Sequence, residues 1–318
     1  MSKIENLKSK LRIAVIGPGG IGCLFAGLLS EGGHDVCLVD RRPDRAAVIS
    51  REGILIERDG TGRRVRLPAF AHPSDISDTD LIILCVKAHE TAGTIPSILA
   101  LSGPQTEVLS LQNGLGNMEA IKRVVAGRNL FAGVTTHGAT VIGLNYLRHA
   151  GAGLTVVGSI NDDQAGAERL AGILTSAGIE TQSTADTLSM LWSKLVINAA
   201  ICPVSVMSGL PNGQMAENDK WRSLLCAAAE EGGKIAGAKG IKLMFADPVK
   251  AVLEVCDKTA SNISSMLQDV RRGRQTEITA INGAIVRAAA ELGLDTPTNT
   301  MLYENVVELE KRNEYKCK

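Results

Sequence analysis

Two stretches of this chain carry residue types at spacings that chemistry can use. The first is Gly17-Pro18-Gly19-Gly20-Ile21-Gly22. A glycine string of this kind cradles a pyrophosphate when it joins a buried strand to a helix. One glycine makes the tight turn, one admits close approach of backbone to phosphate, and one lets helix and strand pack closely. The helix N-terminus then offers free N–H groups and the positive end of its dipole. The second stretch holds Lys194, Asn198 and Cys202, spaced so that one face of a helix presents all three. Leu195, Val196, Ile197, Ala199, Ala200 and Ile201 around them are apolar nearly all round, which marks a buried helix. Lysine is rarely buried without a partner. Taken alone, this helix reads most simply as one whose lysine snorkels to the surface.

The elements that position these residues follow from periodicity. Before the glycines stands Leu11-Arg12-Ile13-Ala14-Val15-Ile16, short, apolar and β-branched, as a buried parallel strand should be. After them, Ile21, Leu24, Phe25, Leu28 and Leu29 fall at helical spacing, and Gly32-Gly33 closes the helix. Further strands are expected at 36–39, 81–86, 108–111 and 130–134, with a hairpin excursion turning at Asp59-Gly60. Alternating strands and helices imply a doubly wound parallel sheet of the Rossmann type. Beyond residue 184 strand patterns nearly vanish, and 190–200, 218–238, 249–259, 277–292 and 301–311 read as helices. The expected organisation is an α/β dinucleotide-binding domain over 1–184 followed by an all-helical domain over 185–318.

Composition narrows the classes of function. The 318 residues are 45% apolar with a formal net charge of zero, so two ordinary cores are affordable and nucleic acid or an anionic membrane is not the expected partner. Aromatic residues make up 3%, too few for base-stacking platforms. The seven cysteines include no CxxC pair and no metal spacing with histidine, and read as reduced thiols of a cytosolic protein. Residues 1–10 hold no apolar signal region, and no apolar run reads as long enough to span a bilayer. No metal site is expected. Of the five histidines, His137 at a strand end is the one to suspect near the chemistry.

Other candidates stand at strand ends. The second strand ends in Asp40-Arg41-Arg42. An acid there favours ribose hydroxyls and NAD, whereas arginines just beyond favour a 2′-phosphate and NADP; Arg41 lies nearest the strand and tips the reading to NADP. Lys87 follows the third strand, and Asn113 follows the fourth beside Gly114, which admits a close approach. Both positions are carboxyl ends, where a doubly wound sheet holds its ligand. Asn262, Ser264 and Ser265 read locally as a helix start with hydroxyl caps, and Glu277 as a first-turn acid.

Together these residues resemble the ketopantoate reductase (2-dehydropantoate 2-reductase) family over nearly the whole chain. The shared stretches are the glycine turn, Val86-Lys87-Ala88, residues 111–116, Thr135-Thr136-His137, residues 191–195 with Asn198, residues 264–270, Thr276-Glu277-Ile278, Ile281-Asn282-Gly283 and Thr296-Pro297. The resemblance implies NADPH-dependent reduction of 2-dehydropantoate to (R)-pantoate, in pantothenate and coenzyme A synthesis. Lys194 would be the general acid and Glu277 the carboxylate that orients it. The glycine turn from Gly17 to Gly22, Arg41, Lys87 and Asn113 would hold the cofactor. Asn113, Lys194, Asn198, Cys202, Asn262 and Ser265 would bind substrate, Ser265 at the substrate's carboxylate. The family usually has a second asparagine one turn beyond Asn198, before a proline; here Cys202-Pro203 stands there, a thiol in place of an amide. The expected partner is a small 2-oxo acid, and a homodimer is compatible with this reading. Two alternatives stay open: a related NAD(P)-dependent reductase of a different 2-oxo acid, and a non-catalytic NADP(H)-binding regulator.

Overall fold

The computed structural model describes residues 10–77, 79–125 and 129–314; the stretch 1–9 and Cys317, both read above, lie outside them. The chain divides into two compact units. One comprises residues up to Gln112 together with Asn117–Thr187; the other comprises Asn113–Gly116 and the chain from Leu188 onward. The sequence reading left 113–116 with the nucleotide domain. Here the segment belongs to the second unit because the carbonyl of Ala280 accepts the Leu115 N–H at 2.9 Å.

The first unit runs β1 (Arg12–Ile16), α1 (Gly20–Glu31), β2 (Asp35–Val39), α2 (Pro43–Glu52), β3 (Ile54–Arg58), β4 (Thr61–Val65), β5 (Ala69–Phe70), β6 (Thr79–Leu84), α3 (Thr91–Leu101), β7 (Ser102–Ser110), α4 (Asn117–Lys122), β8 (Leu130–Thr135), β9 (Gly138–Val141), β10 (Tyr146–Gly151), β11 (Thr155–Ser159), α5 (Gln164–Ser176) and β12 (Thr181–Thr184). The main sheet has the order β12-β11-β8-β7-β6-β1-β2-β5. Its central strands are buried on both faces, so Ala14, Val15, Ile82 and Ile83 are shut off from solvent, as an apolar run in a parallel sheet requires. The order reverses at β1, with β2 on one side and β6 on the other. The glycine turn that follows β1 therefore stands at the topological switch point, where such sheets bind ligands.

Two features depart from the parallel expectation. β11 runs antiparallel to β8, because the chain between them makes the β9–β10 hairpin and no crossover helix. That hairpin also joins the expected one: β3 and β4 pair antiparallel across Asp59-Gly60, both at positive φ as a two-residue primed turn demands, and β10 lies parallel to β3. The resulting four-stranded sheet, β4-β3-β10-β9, packs on α1.

The second unit is helical: α6 (Thr187–Ser208, its first residue assigned to the other unit), α7 (Asn212–Glu217), α8 (Asp219–Ala238), α9 (Pro248–Lys258), α10 (Ser265–Arg271), α11 (Asn282–Leu292) and α12 (Pro297–Glu314). α6 is at its centre. Trp192, Leu195 and Ala199 pack with Ile235, Ile285 and Val306, while Ala200, Ile201 and Val204 pack with Met215, Leu225 and Val252. By length and composition α6 is apolar enough to cross a membrane, which corrects the sequence reading; 72% of its most apolar window is buried inside the protein, as befits a core helix. It also runs on past the expected end at residue 200, through Pro203. A proline there cannot donate to the carbonyl of Ala199. The buried Asn282 side chain donates to that carbonyl at 2.9 Å instead, which removes the usual reason for a helix to stop.

Candidate active site

The carboxyl ends of β1, β2 and β6 meet around the glycine turn. Gly17 has φ +94°, and a Cβ there would lie 2.6 Å from the Val86 nitrogen, so the turn needs glycine for both conformation and space. A Cβ on Gly22 would lie 2.2 Å from the Gly17 carbonyl, so this residue sets the close packing of helix against turn, and one on Gly20 would strike the Ala139 carbonyl of β9 at 2.2 Å. At Gly19, by contrast, nothing lies within 4 Å of such a Cβ. Gly19 is the N-cap of α1, makes no side-chain cap, and is followed by no acid in the first turn. That combination leaves the helix N-terminus open and electropositive beside a bare backbone, and it fits a pyrophosphate. Pro18 accepts the Cys23 thiol through its carbonyl, and Ile21 packs against the core of this unit.

Asp40 and Arg41 end β2 differently from each other. Asp40 is buried; its Oδ1 accepts the Arg42 N–H at 3.0 Å and its Oδ2 lies 3.4 Å from Arg45 Nη1. Arg41 extends into solvent and pairs with Glu90 at 2.7 Å. Lys87 follows directly on Val86, the residue against which Gly17 packs, and its N–H donates to Glu90 Oε2 at 3.3 Å.

In the second unit, Asn113, Asn198 and Glu277 form a relay. Asn198 Nδ2 donates to Asn113 Oδ1 at 3.4 Å, and Asn113 Nδ2 donates to Glu277 Oε2 at 3.2 Å. Glu277 is buried. The sequence reading made it a first-turn helical acid. The helix begins only at Asn282, and residues 277–281 form turns in which the Glu277 carbonyl accepts from Ala280 and Ile281. That turn receives Gly114, whose φ is +81° and where a Cβ would lie 2.4 Å from the Ala280 carbonyl. The close approach that Gly114 admits is thus one of protein backbone.

Lys194 is partly buried and Cys202 is buried, on the same side of α6 as Asn198. Burial pulls the Lys194 ammonium below the ordinary lysine range, and attraction to the Cys202 thiol's charged form opposes this. Ser264 caps α10 by accepting the Leu267 N–H at 3.1 Å, and its hydroxyl also bonds that of Ser205 on α6. Ser265 and Asn262 beside it have exposed side chains. His137, the histidine singled out from sequence, lies in the first unit. Its Nδ1 meets His149 Nε2 at 3.2 Å and its ring stands edge-on to Phe25, an arrangement that packs the second sheet on α1. Sequence reasoning missed Glu90, and it named Asn282 only within a shared stretch, without its role on α6. Pro203, four residues beyond Ala199, was the available signal for that role.

Comparisons with known proteins identify the family. Residues 13–162 match the family described as Ketopantoate reductase PanE/ApbA, and residues 186–310 match its C-terminal part. The chain belongs to the ketopantoate reductase family. A 2-dehydropantoate 2-reductase of Halobacterium salinarum is 32% identical over 292 residues, 90% of this chain and 95% of its own length. Among solved structures, a PanE/ApbA family ketopantoate reductase from Ralstonia eutropha is 29% identical with a TM-score of 0.87, over 96% of this chain and all of its own. D-mandelate dehydrogenase, solved with NADH and anilino(oxo)acetate, is 26% identical with a TM-score of 0.89, over 96% of this chain and 99% of its own. The α/β unit with a helical second unit is the architecture of this oxidoreductase family.

Proposed function

We propose that this protein reduces 2-dehydropantoate to (R)-pantoate with NADPH, in the supply of pantothenate and coenzyme A, and that Lys194 is the general acid. The observation that carries the reading is a lysine on an otherwise apolar core helix, aligned with an asparagine whose amide is tied through Asn113 to a buried carboxylate.

The cofactor, when bound, supplies the hydride. The open N-terminus of α1 at Gly19 would receive its pyrophosphate and the exposed Arg41 its 2′-phosphate, and Lys87 and Asn113 would add contacts. Reduction of a ketone leaves negative charge on oxygen. Lys194 Nζ stabilises that charge and donates the proton. Burial lowers its pKa, which makes it a readier proton donor than a solvated lysine. Glu277 acts as a positioning residue: by accepting from Asn113 it fixes the orientation of both amides in the relay, so that Asn198 presents a set donor and acceptor to the substrate. Ser265, exposed at the start of α10, and Asn262 complete the recognition of an anionic, hydroxylated substrate. Cytoplasmic action and the domain division at 184/185 belong to the same reading.

A second reading has its own observation. Cys202 places a weakly polar thiol where an amide would bond a substrate hydroxyl, and D-mandelate dehydrogenase is as similar in fold as the reductases. A 2-oxo acid with an apolar substituent suits such a wall. Absorbance assays of NADPH and NADH oxidation against a panel of 2-oxo acids separate the readings. Turnover of 2-dehydropantoate above all others, lost in Lys194→Ala, supports the first. Preference for an apolar 2-oxo acid, reversed by Cys202→Asn, supports the second, and no turnover of any 2-oxo acid refutes both.

A further inference from the structure

The two charges that close β2 pull in opposite directions when they are read from sequence, and the structure separates them. Asp40 is only 4% exposed. One oxygen accepts the Arg42 N–H, and the other faces the buried Arg45 guanidinium, which is itself anchored by Nε donating to the Leu144 carbonyl at 2.6 Å. A carboxylate so neutralised and enclosed is not presented to a ribose hydroxyl. Arg41 is the reverse case: its side chain is 82% exposed, and its Nη2 lies 2.7 Å from Glu90 Oε1. The other carboxylate oxygen of Glu90 accepts the Lys87 N–H at 3.3 Å, which fixes the acid from the β6 side. An ion pair this exposed is weak and exchangeable. A 2′-phosphate approaching Arg41 seeks the same guanidinium fork and must settle beside a fixed negative charge.

We propose that Glu90 is a specificity-determining residue that competes with the 2′-phosphate for Arg41 and so narrows the preference for NADP(H) over NAD(H). The proposal rests on the reading of Arg41 as the phosphate ligand. An unphosphorylated ribose meets no such competition, and its 2′-hydroxyl can donate to the Glu90 carboxylate.

The test uses Glu90→Gln, which removes the charge and keeps an oxygen to accept the Lys87 N–H. NADP+ and NAD+ affinities are measured by titration calorimetry, alongside kcat and KM for NADPH and NADH. The expected result is a rise of about three- to tenfold in the NADP+/NAD+ affinity ratio, carried by KM for NADPH with kcat little changed. Glu90→Ala, which removes charge and oxygen together, shifts the ratio the same way. In an Arg41→Ala background the gain from Glu90→Gln shrinks. If Arg41→Ala lowers the ratio while Glu90→Gln leaves it unchanged, the competition is refuted and the phosphate role of Arg41 stands. If Arg41→Ala itself leaves the ratio unchanged, the phosphate reading and the proposal fall together.

Discussion

Asn282→Ala tests how a helix with proline in its interior is held. Asn282 is fully buried, and its Nδ2 donates to the Ala199 carbonyl at 2.9 Å and to Asn299 Oδ1 at 3.0 Å. The Ala199 carbonyl is the acceptor that a residue 203 with an N–H would fill. Truncation to alanine strands this buried carbonyl, at about 1–3 kcal/mol, and takes a second bond from Asn299. Part is recovered, because Asn282 Oδ1 has no partner among the described residues and its removal relieves a penalty of about 1 kcal/mol. The net expectation is a loss of about 1–4 kcal/mol, read from urea unfolding followed by the fluorescence of Trp192, buried on the same helix. The decisive measurement is a double-mutant cycle with Pro203→Ala. Alanine restores an N–H in reach of the Ala199 carbonyl, so Asn282→Ala in that background keeps only its loss at Asn299. The coupling between the two sites should be about 1–2 kcal/mol. A coupling under about 0.5 kcal/mol, within ordinary additivity, would refute the idea that Asn282 stands in for the missing donor.

Other expectations follow from the same structure. Gly19→Ala should leave the melting temperature unchanged, because its φ of −70° suits alanine and its Cβ meets nothing, yet weaken dinucleotide binding at least tenfold; Gly17→Ala, with φ +94° and a backbone clash, should destabilise the fold outright. With Lys194 as the proposed acid, reduction would need it charged, and burial lowers its pKa, so kcat/KM should fall with rising pH at a midpoint below the ordinary lysine range; a midpoint at or above that range speaks against Lys194 as the acid. His137 is held down to about 4 by burial, with His149 and Arg58 adding to the effect, whereas the unfolded chain titrates near 6.5. The folded state therefore binds fewer protons across this window, and stability should drop by about 1–3 kcal/mol as pH falls from about 6.5 to 4. Unfolding curves of His137→Gln should lose most of that acid-side slope.

The parts of the fold legible in the sequence are those set by local pattern. β1, the glycine turn and α1 carry their apolar period and backbone needs within a short stretch, and the distinct tasks of Gly17, Gly19 and Gly22 follow from the turn alone. The hairpin at Asp59-Gly60 was legible for the same reason. Partnership across long separations was not. Nothing near Gly138 or Tyr146 announces that β9 and β10 complete a sheet with β3 and β4, since strand pairing depends on what packs on α1. The move of Asn113–Gly116 into the second unit rests on contacts with Asn198, Glu277 and Ala280, far along the chain. Glu277 misled because an acid ahead of an apolar period looks like a first-turn residue, whereas the turns over 277–281 bury it.

The candidate site shows why such long-range ties matter. An apolar helix that carries Lys194 and Asn198 on one side gains little from those two in stability, since each puts polarity at the edge of a core to which the neighbouring Cys202 belongs. Their placement has to be supported from elsewhere. Asn113 reaches Asn198 only because Gly114 lets its loop lie against Ala280, and the same turn buries Glu277, the acceptor for Asn113. Asn282, at the end of that turn, donates to α6 one residue after Asn198. The segment 277–282 thus ties the helix at Asn198, through the Asn113 amide relay, and at the adjoining Ala199 carbonyl. A change anywhere in that segment should disturb the chemistry at Lys194 and the stability of α6 together, whereas changes confined to the exposed Ser265 should alter substrate affinity alone.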